Sequence, residues 1–315
     1  MRVKILLLHA NEQGKRLACF AEQILTDVSA SFGHVFTIMQ DRVGEASEQA
    51  YGTPLTRETA DAAAAAAAAL LLSVPEEDVS RLQDALELSV EVTSFCIPSA
   101  LSGRNDSAAS LWTARALATD AETLHTAALA VFRYAAEHDS AVSCVAPSGA
   151  AAQSIWESAL ADAKKAFPRV HVMNEAPGYA MRRMLLSPDG VVFCPPYAGS
   201  IFNAAAFASC VFPNIVYSVS LGEEGALFAA GTASGIPNEN PFSLAYAIAE
   251  LLRSTLKLEN EAACLEASIN NVLLSGWRTG DLGDDQTAEP ERIIELICEQ
   301  VSIAGEFMGK GAFRS

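Results

Sequence analysis

The chain reads as an α/β protein, and three observations say so. Short, uninterrupted apolar runs recur, among them VKILLLHA (3–10), SAVSCVA (140–146) and GVVFC (190–194). Between them lie longer stretches with apolar positions at spacings of three and four, the period of a helix with one buried face. Strand-like and helix-like stretches alternate along all 315 residues, with no internal repeat and no linker rich in Pro, Gly or Ser. That alternation is the signature of a doubly wound sheet covered by helices.

Taken in order, VKILLLHA is a continuous apolar strand, and a helix follows over about 15–30. HVFTIMQ (34–40) is the next strand. TRETADAAAAAAAALLLSV (56–74) predicts a helix with Thr56 and Glu58 at its start, running into a strand at 70–74. Its alanines at 62–69 are kept helical because alanine is the best helix former. EEDVSRLQDALEL (76–88) is an amphipathic helix and SVEVTSF (89–95) a strand. The stretch 119–137 has a Thr cap at Thr119, an early acid and helical apolar spacing.

Beyond it come a strand at 140–146, a helix at 154–167, a strand at 170–175, a short helix at 180–186 and a strand at 190–194. A long apolar helix and the strand-like NIVYSVSLGEEGALFA (214–229) follow. The last third holds helices at 241–256 and 260–276, and one at 289–305 with Pro290 in its first turn.

Half the residues are apolar and 19% are charged, an ordinary globular composition. A net charge of −17 argues against nucleic acid and against anionic membrane, since both are bound through clustered Lys and Arg. Seven scattered cysteines, with no CxxC pair, predict reduced thiols and a cytoplasmic location. MRVKILLLHA lacks the length and cleavage site of a signal peptide. The stretch 190–222 carries no charged side chain, yet Pro195, Pro196, Pro213, Asn203 and Asn214 break it up. It therefore reads as buried core rather than a membrane span. It also sits where an α/β fold usually places polar chemistry, at the junction of a strand and a helix.

Several stretches resemble one family. YGTPLTRET (51–59), VSLGEEGALF (219–228), NENPFSLAYAIAELL (238–252) and LLSGWRTGDL (273–282) are similar to the β-decarboxylating dehydrogenases, 3-isopropylmalate dehydrogenase and its isocitrate and tartrate relatives. The first strand, loop and helix, and the middle region from PSGAAAQSIW (147–156) onward, follow that family in step. Only 98–118 departs, where the family usually carries a longer insert. The resemblance implies an isopropylmalate dehydrogenase-like α/β fold, two α/β domains around a central cleft with a mixed sheet. One domain would comprise 1–98 plus 218–315, the former nucleotide-binding side, and the other 99–217, the dimerisation and former metal and substrate side.

It also implies oxidation of a 2-hydroxy acid by NAD with loss of carbon dioxide, assisted by a divalent metal on aspartates. The positions that would carry this chemistry are substituted. The two metal-binding aspartates fall at Ser200 and Ala204, the partner-subunit aspartate at Pro177, and the asparagine beside it at Gly178. The catalytic lysine falls at Pro147 and the catalytic tyrosine near Thr119. One substrate arginine aligns near Thr93, and in the shortened segment only Arg104 and Arg115 remain. The cofactor loop keeps Asn240 and Pro241 but has Leu227 for its histidine, and the early glycine-rich turn is reduced to Gly14. No acid between 190 and 222 is available to a shifted register.

Other candidates are each weighed against a plain structural role. His9, at the end of the first strand, is the most interesting of five histidines, although a lone His there is more often a structural donor. Cys144 and Cys194 end two strands and would form a reactive pair only if they met; buried Cys is commonly a small apolar residue. Arg182 and Arg183 suit a solvated face better than an anion site, and EQGKR (12–16) is a weak phosphate cradle with Glu12 of the wrong sign. Gly231 and Gly235, with Asn240, form a small-residue loop whose backbone amides leave NAD as the cofactor to consider; Mg2+ or Mn2+ is not expected. GWRTGDL (276–282) lies on the adenosine side by resemblance.

The sequence reading is thus a non-catalytic relative of isopropylmalate dehydrogenase. It would act as a homodimer or as a heteromer with an active relative, as a regulatory partner or a binder of a small molecule. The alternative is a divergent NAD- and metal-dependent oxidoreductase acting on a 2-hydroxy acid such as 3-isopropylmalate; it requires a rebuilt metal site, for which His9, Asn11 and Glu45 offer little.

Overall fold

The computed structural model describes residues 1–102, 109–186, 190–210, 215–231, 240–283 and 286–311. The chain opens with β1 (Arg2–His9), α1 (Glu12–Phe32), β2 (Val35–Arg42), α2 (Gly44–Tyr51), α3 (Arg57–Ala65) and β3 (Ala68–Leu72). Next come α4 (Glu76–Ala85), β4 (Val90–Ile97), α5 (Ser99–Ser102), β5 (Ala109–Ala116) and α6 (Ala121–Glu137). The middle holds β6 (Ala141–Val145), α7 (Ala150–Ala166), β7 (Val172–Glu175), α8 (Pro177–Leu186), β8 (Gly190–Cys194) and α9 (Pro196–Ser209). A hairpin of β9 (Val216–Leu221) and β10 (Ala226–Ala230) leads to α10 (Pro241–Glu250), which continues as a π-helical turn, and to α11 (Glu259–Leu274). Short β11 (Trp277–Arg278) and β12 (Gln286–Thr287) precede α12 (Pro290–Gly311).

Ten strands form one mixed sheet in the order β2-β1-β3-β10-β9-β4-β5-β8-β6-β7. The four strands at each end are parallel, and the central pairs β10–β9, β9–β4 and β4–β5 are antiparallel. Alternate side chains enter different faces, as the period of a strand requires. Ile5 and Leu7 join the large core under α1, α6, α10, α11 and α12. Leu6 and Leu8 face the other side with Val79 and Leu82 of α4, while Phe95, Leu111 and Phe202 form a separate cluster under α8 and α9. The second face therefore has two apolar patches, not one.

Most expected elements occur, with four corrections. The alanine run is split: α3 ends at Ala65 and β3 begins at Ala68, because Ala69 to Leu71 pair with both β1 and β10 and are fully buried there. Sheet pairing overrides alanine's helix preference. The cap of α6 is Asp120, whose Oδ1 accepts the Thr123 N–H at 2.9 Å, and not Thr119. Strand β5 lies in the segment read only as a shortened insert, and α2 was not foreseen at all. Gly14 is dictated by packing: a Cβ there would lie 2.2 Å from the Leu72 carbonyl oxygen, where the start of α1 crosses the end of β3.

The large core also contains charge. Glu250, at the end of α10, accepts from His138 Nε2 and from the Tyr217 hydroxyl, each at 3.2 Å, with Arg253 Nη1 at 4.0 Å. Burial opposes both charges, but the Glu250 hydrogen bond and charge outweigh it and hold His138 above its ordinary range. By the same balance, burial is outweighed by His138, Arg253 and Tyr217, and Glu250 stays below the usual carboxylate range. A raised histidine stabilises the fold below its unfolded value of about 6.5 and stops doing so as pH rises through its folded value. A lowered carboxylate stabilises above its unfolded value and stops as pH falls through the folded one. Melting temperature is therefore expected to be highest between these limits, and His138→Phe should remove the decline on the alkaline side. An unchanged alkaline limb in that variant would sink this reading of the pair.

Candidate functional site

The two apolar patches on the second face are separated by a polar strip across the three central strands. Register places Glu91 of β4 beside Ser220 of β9 and Arg115 of β5, and Thr93 beside Ser218 and Thr113. On one side the strip meets Leu227 of β10, and on the other Val192 and Cys194 of β8. Helices bracket it: Gln83 of α4 donates from Nε2 to Ser220 Oγ at 2.8 Å, and Asn203 of α9 donates from Nδ2 to Thr93 Oγ1 at 3.4 Å. Thr113 Oγ1 donates in turn to Asn203 Oδ1. Arg115 Nη2 lies 2.6 Å from Glu91 Oε2, and Glu91 is only 2% exposed. The strip is thus the polar floor between the two apolar patches.

The helix that follows β8 is bound closely to this floor. A Cβ on Gly199 would lie 2.4–2.7 Å from the Arg115 Cβ, Cγ and Cδ, so only glycine lets the arginine stem pass beneath α9. Ser200 and Ala204, one and five residues on, are exposed. A hydroxyl and a methyl cannot replace two carboxylates as ligands of a hard dication, and Arg115, whose stem lies against Gly199, has the wrong sign. The residues present do not fit a bound Mg2+ or Mn2+. Among the described residues, no group of three or more His, Cys, Asp or Glu side chains is placed to hold a metal.

Other sequence candidates fall into place around this region. Pro147 lies in the turn after β6; the neighbouring Ser148 N–H donates to the Tyr197 hydroxyl of α9 at 3.3 Å, so that turn does adjoin the helix. Pro177 and Gly178 start α8 on the surface, and Thr119 is exposed ahead of α6. Thr93 is buried in the network just described. Arg104 and Gly235 lie outside the described residues. Gly231 ends β10 with φ 102°, its N–H donating to Val216 O at 2.8 Å. Asn240 caps α10: its Oδ1 accepts the Phe242 N–H at 2.9 Å, and its Nδ2 donates to Thr279 Oγ1 and Asp281 Oδ2 at 3.2 and 2.8 Å. Leu227 is core inside β10. Arg278, in GWRTGDL, donates to the Leu273 and Trp277 carbonyl oxygens and closes the end of α11.

Two groups weighed for reactivity have structural roles. Cys144 and Cys194 point to opposite faces of the sheet, since Cys144 is paired with Phe193 in one core and Cys194 packs in another. They do not form a pair, and burial pushes each thiol up to about 12. Arg182 is exposed, as expected of a solvated face, and the half-buried Arg183 donates to Glu175 at 2.8 Å and, through that hydrogen bond first, holds the carboxyl below its usual range.

The Glu91–Arg115 pair was missed because β5 was missed. Its trace in the sequence is a lone acid in SVEVTSF and a lone base in LWTARA, each in the middle of an apolar alternation. Removing one partner from a buried ion pair typically costs about 3–5 kcal/mol. Glu91→Leu should therefore lower the unfolding free energy by about that amount in urea titrations, while Glu91→Leu with Arg115→Met should recover most of it. A single variant as stable as the parent would show the pair to be unimportant.

Comparison with known proteins agrees with this architecture. The family model for isocitrate/isopropylmalate dehydrogenase matches residues 104–297, more than half of the chain. The 3-isopropylmalate dehydrogenases of Mannheimia succiniciproducens and Haemophilus influenzae (strain Rd) are each 30% identical, over 42% and 51% of this chain. Those matches take in 39% and 47% of the two relatives, so the chain spans less than half of either at that similarity. The enzyme of the same name from Oceanobacillus iheyensis is 23% identical over 90% of both chains. In structure, the isocitrate dehydrogenase of Methylococcus capsulatus superposes with a TM-score of 0.78 at 18% identity, over 95% of this chain and 99% of that one. A β-decarboxylating dehydrogenase of Thermococcus kodakarensis gives 0.77 at 17%, over 96% of each. The chain belongs to the isocitrate/isopropylmalate dehydrogenase family.

Proposed function

We propose that this chain is a non-catalytic member of its family, one that regulates an active relative or binds a small molecule. The observation that carries the reading is the floor itself. Glu91 neutralises Arg115, and Thr93, Asn203 and Thr113 satisfy one another, so the groups that span the strip are spent on holding the fold together. Where the metal-dependent relatives would need carboxylates, the α9 positions are Ser200 and Ala204, with Arg115 packed against Gly199. The reading includes neither Mg2+ nor Mn2+ and leaves NAD as the one cofactor to test. It keeps two domains, 1–98 with 218–315 and 99–217, meeting at the central strands. A cytoplasmic location suits seven unpaired cysteines, five of them buried.

Association belongs to the same proposal. Tyr179 and Leu186 of α8 and Tyr197 and Ile201 of α9 are all largely exposed, an apolar face that suits a homodimer or a heteromer with an active relative. Light scattering should find the parent as a dimer and Ile201→Asp as a monomer with unchanged circular dichroism. A monomeric parent would leave only the heteromer.

The direct test is a thermal titration with NAD, NADP, isopropylmalate and isocitrate, with and without Mg2+ or Mn2+. A ligand at a hundred times its Kd stabilises the native state by about 2.7 kcal/mol, which a melting curve resolves readily. The expected result is no metal-dependent shift with either hydroxy acid. A clear one would overturn the reading and leave a divergent oxidoreductase with a rebuilt metal site.

A further inference from the structure

A second polar site lies at the far side of the sheet, at the carboxyl ends of β1 and β2. A cavity of about 460 Å³ opens there, lined by His9, Glu12, Lys15, Arg42 and Glu45 among others. From β1 to β5 the sheet spans five strand spacings, about 24 Å, so this cavity is not part of the cleft floor. It is framed by two helix starts. Asn11 caps α1 by accepting the Gly14 N–H at 2.8 Å, which leaves the donors ahead of Gly14 without an intrahelical partner. The start of α2 has no side-chain cap at Val43. Its Val43, Gly44 and Ala46 N–H groups are spent on the His9, Pro54 and Ala10 carbonyl oxygens at 3.0, 2.7 and 2.9 Å. Residues from both helix starts line the cavity, and its free amide donors come from the first turn of α1.

His9 supplies the independent sign of a ligand. It lines the cavity, is 8% exposed, and its buried Nδ1 has no hydrogen-bond partner among the described residues. A structural histidine at a strand end would spend that nitrogen on the protein, and a buried polar atom without a partner is destabilising. Burial first, then Arg42 and Lys15, keeps the ring below its ordinary range, hence neutral, with one donor and one acceptor. Arg42 faces His9 across the β1–β2 register and makes no side-chain ion pair among the described residues. Glu12, 3.8 Å from Lys15 Nζ, and Glu45, which accepts from Gln49 Nε2 at 2.9 Å, add acceptors of the opposite sign.

We propose that this cavity binds a small polar metabolite bearing an oxyanion, phosphate or carboxylate, beside hydroxyl or amine donors. The oxyanion lies between Lys15, Arg42 and the start of α1, His9 hydrogen-bonds it or its neighbour, and Glu12 and Glu45 accept from the donor groups. The two acids disfavour a bare polyanion, so the donors are part of the recognition. The volume suits a ligand between an amino acid and a sugar phosphate in size.

The test is NMR of the full chain with labelled histidine, titrated with ribose 5-phosphate and, separately, with L-serine; His9→Phe identifies the His9 ring signal by its loss. A saturable shift of that signal with one of the two probes is expected, and the responding probe tells phosphate from carboxylate. Affinity should fall about tenfold in Arg42→Gln and in Lys15→Gln, and stay unchanged in the surface control Arg57→Gln. No saturable shift with either probe, or undiminished binding in the two cavity variants, would overturn the proposal and leave the cleft reading untouched.

Discussion

A carboxylate held at 2% exposure between β4, β5 and β9 has to be matched, and Arg115 is the group that matches it. This pairing organises the second face of the molecule. The strip to which it belongs divides the apolar surface into two patches, and α4 and α9 descend onto it through Gln83 and Asn203. The close approach of α9 in turn requires Gly199, because the arginine stem occupies the space a side chain would need. One ion pair therefore sets a strand register, a helix position and the identity of a glycine.

The same features bear on what this floor can offer a ligand. A site that binds a dication must keep carboxylates available, oriented and negative. Here the buried carboxylate of the floor is neutralised internally, and the helix start above it carries small uncharged groups. A network whose members satisfy each other is rigid and specific, but it has little left to offer a substrate. At the other end of the sheet, where two helices begin at the carboxyl ends of parallel strands, His9 keeps a buried Nδ1 without a partner among the described residues. Fold and function can part in this way because a site depends on a few side chains and the fold on many.

Strand and helix identities were mostly legible because they rest on periodicity, which a sequence displays directly: VKILLLHA, GVVFC and the helix at 121–137 needed no context. The absence of acids over 190–222, Ser200 and Ala204 included, was equally legible, since it is a fact of composition. What failed was local preference against pairing. The alanine run looked helical throughout, yet Ala68 and Ala69 are strand, because two neighbouring strands supply hydrogen bonds that propensity does not count.

The order of strands, the meeting of Glu91 with Arg115, and the separation of Cys144 from Cys194 by a sheet were hidden for a different reason. Each depends on which segments become neighbours across long stretches of chain, and no local period encodes that. The amino-acid order alone settles the alternation of elements, the charge and the absence of acids over 190–222, because these are properties of residues and of their nearest neighbours. Register and burial, which decide whether an arginine is a ligand or a counter-ion, arise only when β4, β5 and α9 pack together.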